Sequence, residues 1–215
     1  MEGQTALVTG GGKGIGRAIA LALSARGVAV VVTGRDEKAL GETVGEIAHG
    51  GGKARHLAGD VRDPAHLAGA VERASSVFGR LDIVIANASA SGSSELGGDL
   101  GRAEAILHTN FMGAYYTFNA AVPRMKGPGR LVTTRRVATE LGGPGHAAAS
   151  ASDAGALGLC RALAVELAPR KITCNSVVSG LVEPEEVAQL VVFLCSAAAA
   201  GITGQTIAIG ASARG

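Results

Sequence analysis

The sequence has no tryptophan and few other aromatic residues, with two tyrosines and four phenylalanines among 215 residues. It also has only three cysteines, Cys160, Cys174 and Cys195. Their spacings are unrelated and their surroundings apolar, which argues against a disulfide framework or a metal motif and predicts buried free thiols. We therefore expect no metal site.

Long apolar runs and charge clusters are missing as well. The stretches near Val28–Val32 and Leu190–Ala200 are far shorter than the roughly 20 residues of a membrane-spanning helix. The formal net charge is +2, and without a basic run it gives no argument for nucleic-acid binding. Strand-like sequence begins at Thr5, which leaves no room for a signal peptide. We expect a cytoplasmic protein without membrane or nucleic-acid partners.

Short apolar runs alternate with segments of helical period along the whole chain. Strands are predicted near residues 4–9, 28–33, 53–58, 81–87, 130–134, 172–178 and 205–209. Helices are predicted near residues 14–26, 36–49, 63–78, 102–125, 148–168 and 185–197. Parallel strands need right-handed crossovers, so this order predicts one domain over residues 1–215. The fold class is α/β, a Rossmann-type doubly wound parallel sheet of about seven strands with helices on both faces.

A glycine-rich segment, Thr9-Gly10-Gly11-Gly12-Lys13-Gly14-Ile15-Gly16, follows the first strand and opens the first helix. Glycines there permit a tight turn and a close approach of the backbone to a pyrophosphate, which the helix N-terminus attracts. Further motifs stand in a fixed order along the chain: Asp60-Val61, Ala86-Asn87-Ala88-Ser89, His108-Thr109-Asn110, Arg161–Arg170, Ile172–Asn175 and Thr203–Thr206. Over residues 4–210 the sequence resembles the short-chain dehydrogenase/reductase family.

The resemblance implies a nicotinamide cofactor. It would contact Thr9, Gly10, Gly12, Lys13, Gly14, Ile15, Gly16, Arg35, Asp60, Val61, Asn87 and Ala88. The second strand ends in Thr33-Gly34-Arg35 instead of the acidic residue that holds a free ribose 2′-hydroxyl. With Lys13 nearby, two cations suit a 2′-phosphate, which favours NADP(H) over NAD(H). The alternative is that Arg35 is a solvated turn residue paired with Asp36 or Glu37.

The catalytic positions of the family are changed here. Its Ser, Tyr and Lys fall on Arg136, Ala149 and Asp153, and only Asn110 is retained. Alanine cannot transfer a proton, and loss of a positioned acid costs about 10²–10⁴ in rate. We expect ordinary carbonyl reduction to be lost.

Other residues could take over chemistry at this site. Arg136, or Arg135 if the register differs, could hold an oxyanion, His146 could act as an acid, and Asp153 could accept hydrogen bonds from the ribose. Tyr115–Tyr116 is a weaker candidate because its helix packs against neighbours. The structural alternative is an Arg136–Asp153 ion pair that fills the vacated pocket.

Two loops bear on the site. The family places a substrate-covering segment after the sixth strand, but here Leu181-Val182-Glu183 leads directly into a helix start at Pro184. We therefore expect the lid over the substrate to be missing. The loop Ser89–Gly101 is rich in glycine and serine and is expected to be mobile.

These expectations lead to a principal hypothesis and an alternative. The first is a non-catalytic NADP(H)-binding subunit that forms homo- or hetero-oligomers with family members through the helices 102–125 and 148–168. The alternative is an enzyme with a repurposed site, either an NADPH-dependent oxidoreductase or an isomerase, cyclase or dehydratase.

Overall fold

The computed structural model describes residues 1–136 and 142–210, in which strands and helices alternate. The strands are β1 (Thr5–Thr9), β2 (Ala29–Gly34), β3 (Ala54–Ala58), β4 (Ile83–Ala86), β5 (Gly129–Arg136), β6 (Ile172–Ser179) and β7 (Thr206–Ile209). The helices are α1 (Gly14–Ser24), α2 (Glu37–His49), α3 (Pro64–Phe78), α4 (Leu100–Leu107), α5 (Gly113–Ala121), α6 (Ala147–Glu166) and α7 (Pro184–Cys195). A π-helical turn, His108–Met112, joins α4 to α5.

The strands form one parallel sheet in the order β3-β2-β1-β4-β5-β6-β7. In the centre Val8 pairs in register with Val32 on one side and with Ile85 on the other. Strands covered on both faces read as apolar runs rather than as alternating patterns, and β1 and β4 are buried at every position. The predicted fold class is confirmed.

Helices cover both faces of this sheet. On one face Ile19 of α1 and Val191 of α7 pack in the same buried cluster as residues of β1 and β2. On the other face Phe118 of α5 packs in a cluster with Leu7 and Leu131. Full burial of a side chain of this size is worth about 1.5–3 kcal/mol. The two clusters hold the carboxyl ends of the central strands in fixed positions, and the site is built there.

The helix starts differ slightly from the predictions, and side-chain caps explain the difference. Asp36, Asp63 and Asp99 each accept a backbone N–H of the first turn that follows, at the starts of α2, α3 and α4. Because Asp99 caps α4, the predicted helix 102–125 begins at Leu100. The loop predicted over Ser89–Gly101 therefore ends two residues earlier.

The connection after β6 is short. β6 ends at Ser179 and α7 begins at Pro184, so no further helix lies between them. The start of α7 is stabilised by the Glu183 N–H, which donates to the Glu186 carboxylate over 3.2 Å. The predicted direct run into the last helix is confirmed. Among the described residues, no helix has the length and apolar character needed to cross a membrane.

Candidate functional site: a cleft at the carboxyl ends of the strands

The order of the strands reverses between β1 and β4, and open α/β sheets bind ligands at such a switch point. Two adjoining cavities of about 430 Å³ and about 460 Å³ lie there. Both are bordered by Gly10, Lys13, Ala88 and Ser89. The cleft therefore has two ends. The first lies beside β5 and α6 (the α6 end) and the second beside β2 and α2 (the α2 end).

The glycine-rich loop borders both ends of the cleft. Gly14 has φ of +51° and open space where a side chain would stand, so the backbone itself borders the cleft. A Cβ at Gly16 would overlap the Gly10 carbonyl and the Asn87 amide. The first turn of α1 has no acidic residue, and the side chain of Lys13 does not cap it. Uncapped N–H groups and the positive end of the helix dipole suit a pyrophosphate.

Hydrogen bonds tie the segment after β4 to β1. The Thr9 hydroxyl accepts the N–H groups of Asn87 and Ala88 at 3.0 and 3.1 Å. The Asn87 amide donates to the Thr9 carbonyl at 3.0 Å, and its oxygen accepts the Thr134 hydroxyl at 2.8 Å. Asn87 and Ala88 border the cleft as predicted. Thr9 and Gly16 line neither cavity. Their contacts with Asn87 and Gly10 help to set the conformation of the glycine-rich loop.

The α2 end brings together the residues predicted for the adenosine half: Gly12, Lys13, Arg35, Asp60 and Val61. The Asp60 carboxylate accepts hydrogen bonds from the Arg62 guanidinium at 2.7 and 2.9 Å. These bonds are the main cause of a lowered pKa of Asp60, to which the charge of Arg35 adds. Arg35 itself is exposed.

Lys13 is paired with a carboxylate in this structure. Its Nζ lies 2.6 Å from the Asp36 carboxylate, and the two side chains are 74% and 51% exposed. Hydrogen bonding between them raises the pKa of Lys13 and lowers that of Asp36. The alternative that Arg35 pairs with Asp36 or Glu37 is wrong, because among the described residues Asp36 pairs with Lys13 and the Glu37 carboxylate lies 4.0 Å from His56.

The α6 end contains the residues that the sequence analysis predicts to stand at the family's catalytic positions. Ala149 and Asp153 stand one turn apart on α6 and both border the cavity with Arg136 and His146. Arg136 is exposed, whereas Ala149 and Asp153 are buried. No tyrosine lines this cavity within residues 1–136 and 142–210. Tyr115–Tyr116 forms an edge-to-face pair with ring centres 6.3 Å apart, away from the cavity.

The buried ion pair forms with the neighbouring arginine. Arg135 Nε lies 3.4 Å from an Asp153 carboxylate oxygen, and the two side chains are only 2% and 8% exposed. The buried pair of Asp153 is thus with Arg135, the residue next to the Arg136 of the hypothesis. β5 is buried at every position from Gly129 to Arg135, and exposure begins at Arg136, the last residue of the strand.

Backbone carbonyls complete the surroundings of Arg135. Its two terminal nitrogens donate to the carbonyls of Thr134 and Asn110 at 2.8 and 2.9 Å. Burial lowers the pKa of Arg135, and the charge of Asp153 acts in the opposite direction. Arg135 Nε has no hydrogen-bond partner, since its approach to Asp153 lacks hydrogen-bond geometry. The group is thus a buried cation held by one carboxylate and two carbonyls.

Asn110, which the sequence analysis predicts to match the family's asparagine, makes structural hydrogen bonds to the loop after β4. Its side-chain oxygen accepts the Ala90 N–H at 2.7 Å, and its amide donates to the Ala90 carbonyl at 3.1 Å. It lies in the π-helical turn, a distortion that is frequent at functional sites. Asn110 therefore fixes the loop that borders the cavity.

Three residues of the site were not predicted in these roles: Asp36, Thr134 and Arg135. The position of Asp36 before an apolar helix face indicates that it caps α2. Its contact with Lys13, 23 residues away, could not be inferred from the sequence. Alternation along β5 could not have separated Arg135 from Arg136, because both faces of the sheet are covered and the strand is buried up to its last residue. No group of three or more His, Cys, Asp or Glu residues in the described part of the chain could hold a metal ion.

Comparison with known proteins identifies the family. The family model for short chain dehydrogenases matches residues 4–192, and the chain belongs to that family. It is 32% identical to the 3-oxoacyl-(acyl-carrier-protein) reductase FabG of Escherichia coli strain K12, over 96% of this chain and 95% of the relative. It is also 32% identical to a cyclohexanol dehydrogenase of Acinetobacter sp. strain SE19, over 94% of this chain and 91% of the relative.

Solved structures agree with this placement. A dehydrogenase/reductase from Sinorhizobium meliloti 1021 matches with a TM-score of 0.95 at 29% identity, over 100% of this chain and 96% of the other. A short chain dehydrogenase from Burkholderia cenocepacia J2315, solved in complex with NADP, matches with a TM-score of 0.91 at 30% identity, over 97% and 96% of the two chains.

Proposed function

We propose that the protein binds NADP(H) and does not carry out tyrosine-dependent carbonyl reduction. One observation supports the second part most directly. The two positions that border the cavity on α6 are Ala149 and Asp153, and the Asp153 carboxylate is held in a buried pair with Arg135. Neither residue can deliver a proton as a tyrosine beside a lysine does.

The residues that border the cleft fit a dinucleotide. The uncapped start of α1 and the backbone at Gly14 would hold the pyrophosphate. Asp60 and Val61 would border the adenosine, and Asp153 would accept hydrogen bonds from ribose hydroxyls next to the nicotinamide. The nicotinamide supplies a hydride acceptor or donor when it is bound. The family membership and the NADP complex of the Burkholderia structure support this assignment.

The preference for NADP(H) is tested by calorimetric titration of the purified protein with NADPH and NADH. We expect NADPH to bind more tightly, because Arg35 offers a charge-assisted bond to the 2′-phosphate. Arg35→Ala should weaken NADPH binding by about tenfold or more, as the loss of such a bond predicts. Arg26→Ala, an exposed arginine beyond the end of α1, serves as the control and should leave the affinity unchanged. Equal NADPH and NADH affinities in the unchanged protein would reject the preference.

We further propose that the protein acts through association with family members, as a homo- or hetero-oligomer. The helical run of α4 and α5 and the helix α6 would form the interface. Val165 on α6 and Tyr115 on α5 are large apolar residues that are 78% and 44% exposed. Co-purification of an active relative from the native host would support this role. Recovery of only a homo-oligomer, with no cross-linked relative, would leave the hetero-oligomer without support.

A repurposed active site is the second candidate function. It is favoured by His146, whose Nδ1 is buried without a hydrogen-bond partner in a residue that borders the cavity with Arg136. NADPH-dependent turnover that disappears in His146→Ala, while circular dichroism shows the variant still folded, would establish it. Absence of turnover over a broad panel of carbonyl and enoyl substrates would favour the non-catalytic role.

A further inference from the structure

A half-buried histidine of α3 is hydrogen-bonded to the end of β2. His66 Nε2 lies 2.6 Å from the hydroxyl oxygen of Thr33, the last fully buried residue of that strand. The same hydroxyl donates its hydrogen to the Leu57 carbonyl at 2.7 Å. Because a hydroxyl has only one hydrogen, His66 Nε2 must carry a hydrogen and donate it to the Thr33 oxygen. Two hydrogen bonds therefore connect α3 with β2 and β3 through the Thr33 side chain.

The His66 ring also packs against a glycine that borders the cleft. A Cβ at Gly59 would overlap the His66 imidazole. Gly59 lines the α2 end of the cleft together with Asp60 and Val61. Its N–H donates to the Gly34 carbonyl at 2.8 Å. His66 therefore contacts both segments that border the α2 end, the one that follows β2 and the one that follows β3.

Thr33 connects the same histidine to the glycine-rich loop. The Thr33 carbonyl accepts the N–H groups of Gly10 and Gly11 at 2.7 and 3.3 Å. Gly10 borders both ends of the cleft. Groups that bind a ligand must be held within about 0.5 Å of their productive positions, and hydrogen bonds from residues outside the site provide that constraint. The bond from His66 to Thr33 is such a constraint for the loop and for the end of β2.

We propose that His66 is a positioning residue for the adenosine half of NADP(H). His66 lines neither cavity, so it acts through Thr33 and Gly59. The residues that these two hold in place lead directly to Arg35 and Asp60, which border the α2 end. This inference rests on the proposed NADP(H) binding and names a residue that determines how strongly the cofactor is held.

Adenosine 2′,5′-bisphosphate is a suitable probe, because it has the adenosine half of NADP(H) without the nicotinamide. NADPH and this bisphosphate are titrated by calorimetry at about pH 7.5, above the usual imidazole pKa, which burial lowers further in His66. His66→Ala should weaken both ligands by the same factor, about tenfold, as the loss of one hydrogen bond predicts. His49→Ala, at an exposed histidine that ends α2, is the matched control and should bind both ligands normally.

Two further variants separate positioning from a general effect on the fold. His66→Gln should retain most of the affinity, because the glutamine amide donates to Thr33 as Nε2 does. Thr33→Val removes the hydroxyl at nearly constant volume and should weaken both ligands as His66→Ala does, with little further loss in the double variant. Urea unfolding measures the stability of each variant separately. Thr33→Val carries the same prediction if His66→Ala does not fold.

The two proposals fail in different ways. Unchanged affinities in His66→Ala, with or without a loss of stability, would overturn the positioning role and leave the cofactor assignment intact. A loss for NADPH without a loss for the bisphosphate would place the effect away from the adenosine half and overturn the inference. His66→Gln as weak as His66→Ala would show that the hydrogen bond is not the cause. An unchanged protein that binds neither ligand would overturn the proposed function and this inference together.

Discussion

At the scale of single residues, Asp153 is buried together with an arginine of β5. A carboxylate buried at this depth needs a partner, and Arg135 supplies one from the adjacent strand. The pair also explains why a lysine should not be tolerated at position 153. Asp153→Lys would place two buried cations side by side.

We expect Asp153→Asn to destabilise the protein by about 3–5 kcal/mol, because it leaves the Arg135 charge buried without its carboxylate. Urea unfolding followed by circular dichroism measures this. Asp63→Asn is the matched control, since Asp63 is an exposed N-cap and asparagine caps equally well. Arg135→Met combined with Asp153→Leu should recover most of the loss. If Asp153→Asn lowers the free energy of unfolding by less than about 1 kcal/mol, the pair contributes little to stability.

The Lys13–Asp36 pair is expected to reduce the affinity for NADP(H). Asp36→Asn keeps the cap on α2 but removes the charge that occupies Lys13. NADPH should then bind a few-fold more tightly, with a steeper dependence on salt. Calorimetry at low and high salt measures both effects. NADH, which has no 2′-phosphate, is the internal control, and an equal gain for the two cofactors would contradict the explanation.

At the scale of elements, the glycine loop shows how one close contact shapes a site. The start of α1 packs so near β1 that a Cβ at Gly16 would overlap the Gly10 carbonyl and the Asn87 amide. The same contact brings Asn87 into the network that holds Thr9 and Thr134. The position of the α1 N-terminus and the segment after β4 are therefore coupled.

Gly16→Ala should abolish measurable NADPH binding and destabilise the protein, because either α1 or the loop must move. Gly41→Ala is the control, since Gly41 lies within α2 with open space around its Cα. In Gly41→Ala the extra methyl group should raise the free energy of unfolding by about 0.5–1 kcal/mol and leave NADPH binding unchanged. Calorimetry and urea unfolding of both variants provide the comparison. Normal NADPH affinity in Gly16→Ala would show that the loop has room to adjust.

At the scale of the whole molecule, all three thiols lie in the two clusters that cover the sheet. Burial raises the pKa of Cys195 to about 12. In the unfolded chain the pKa is about 8.5. The unfolded state therefore loses its proton first, so the stability that this thiol contributes is complete below about pH 8.5 and declines as the pH rises toward 12.

We expect the free energy of unfolding to fall with pH between about 9 and 11, with Cys195 accounting for up to about 1.4 kcal/mol per pH unit. Cys195→Ala should show a shallower decline. Lysines and tyrosines titrate in both proteins, so the difference between the two slopes isolates this thiol. Urea unfolding at four pH values measures it, and parallel slopes would contradict the assigned pKa.

The order of elements, the sheet class, the glycine loop and the direct connection from Ser179 into α7 were readable from the sequence. Each depends on local patterns: apolar runs, caps, and glycines between a strand and a helix. The residues that gather in the cleft were also readable, because parallel strands end at the same edge of the sheet.

The sequence by itself therefore determined the fold and the place of the cleft. The tertiary structure decided which charges meet. Lys13 with Asp36 and Arg135 with Asp153 are contacts between separate elements. Arg135 is buried and Arg136 exposed because the covered part of β5 ends between them. These pairings result from strand register and helix packing over many residues, which no local pattern records.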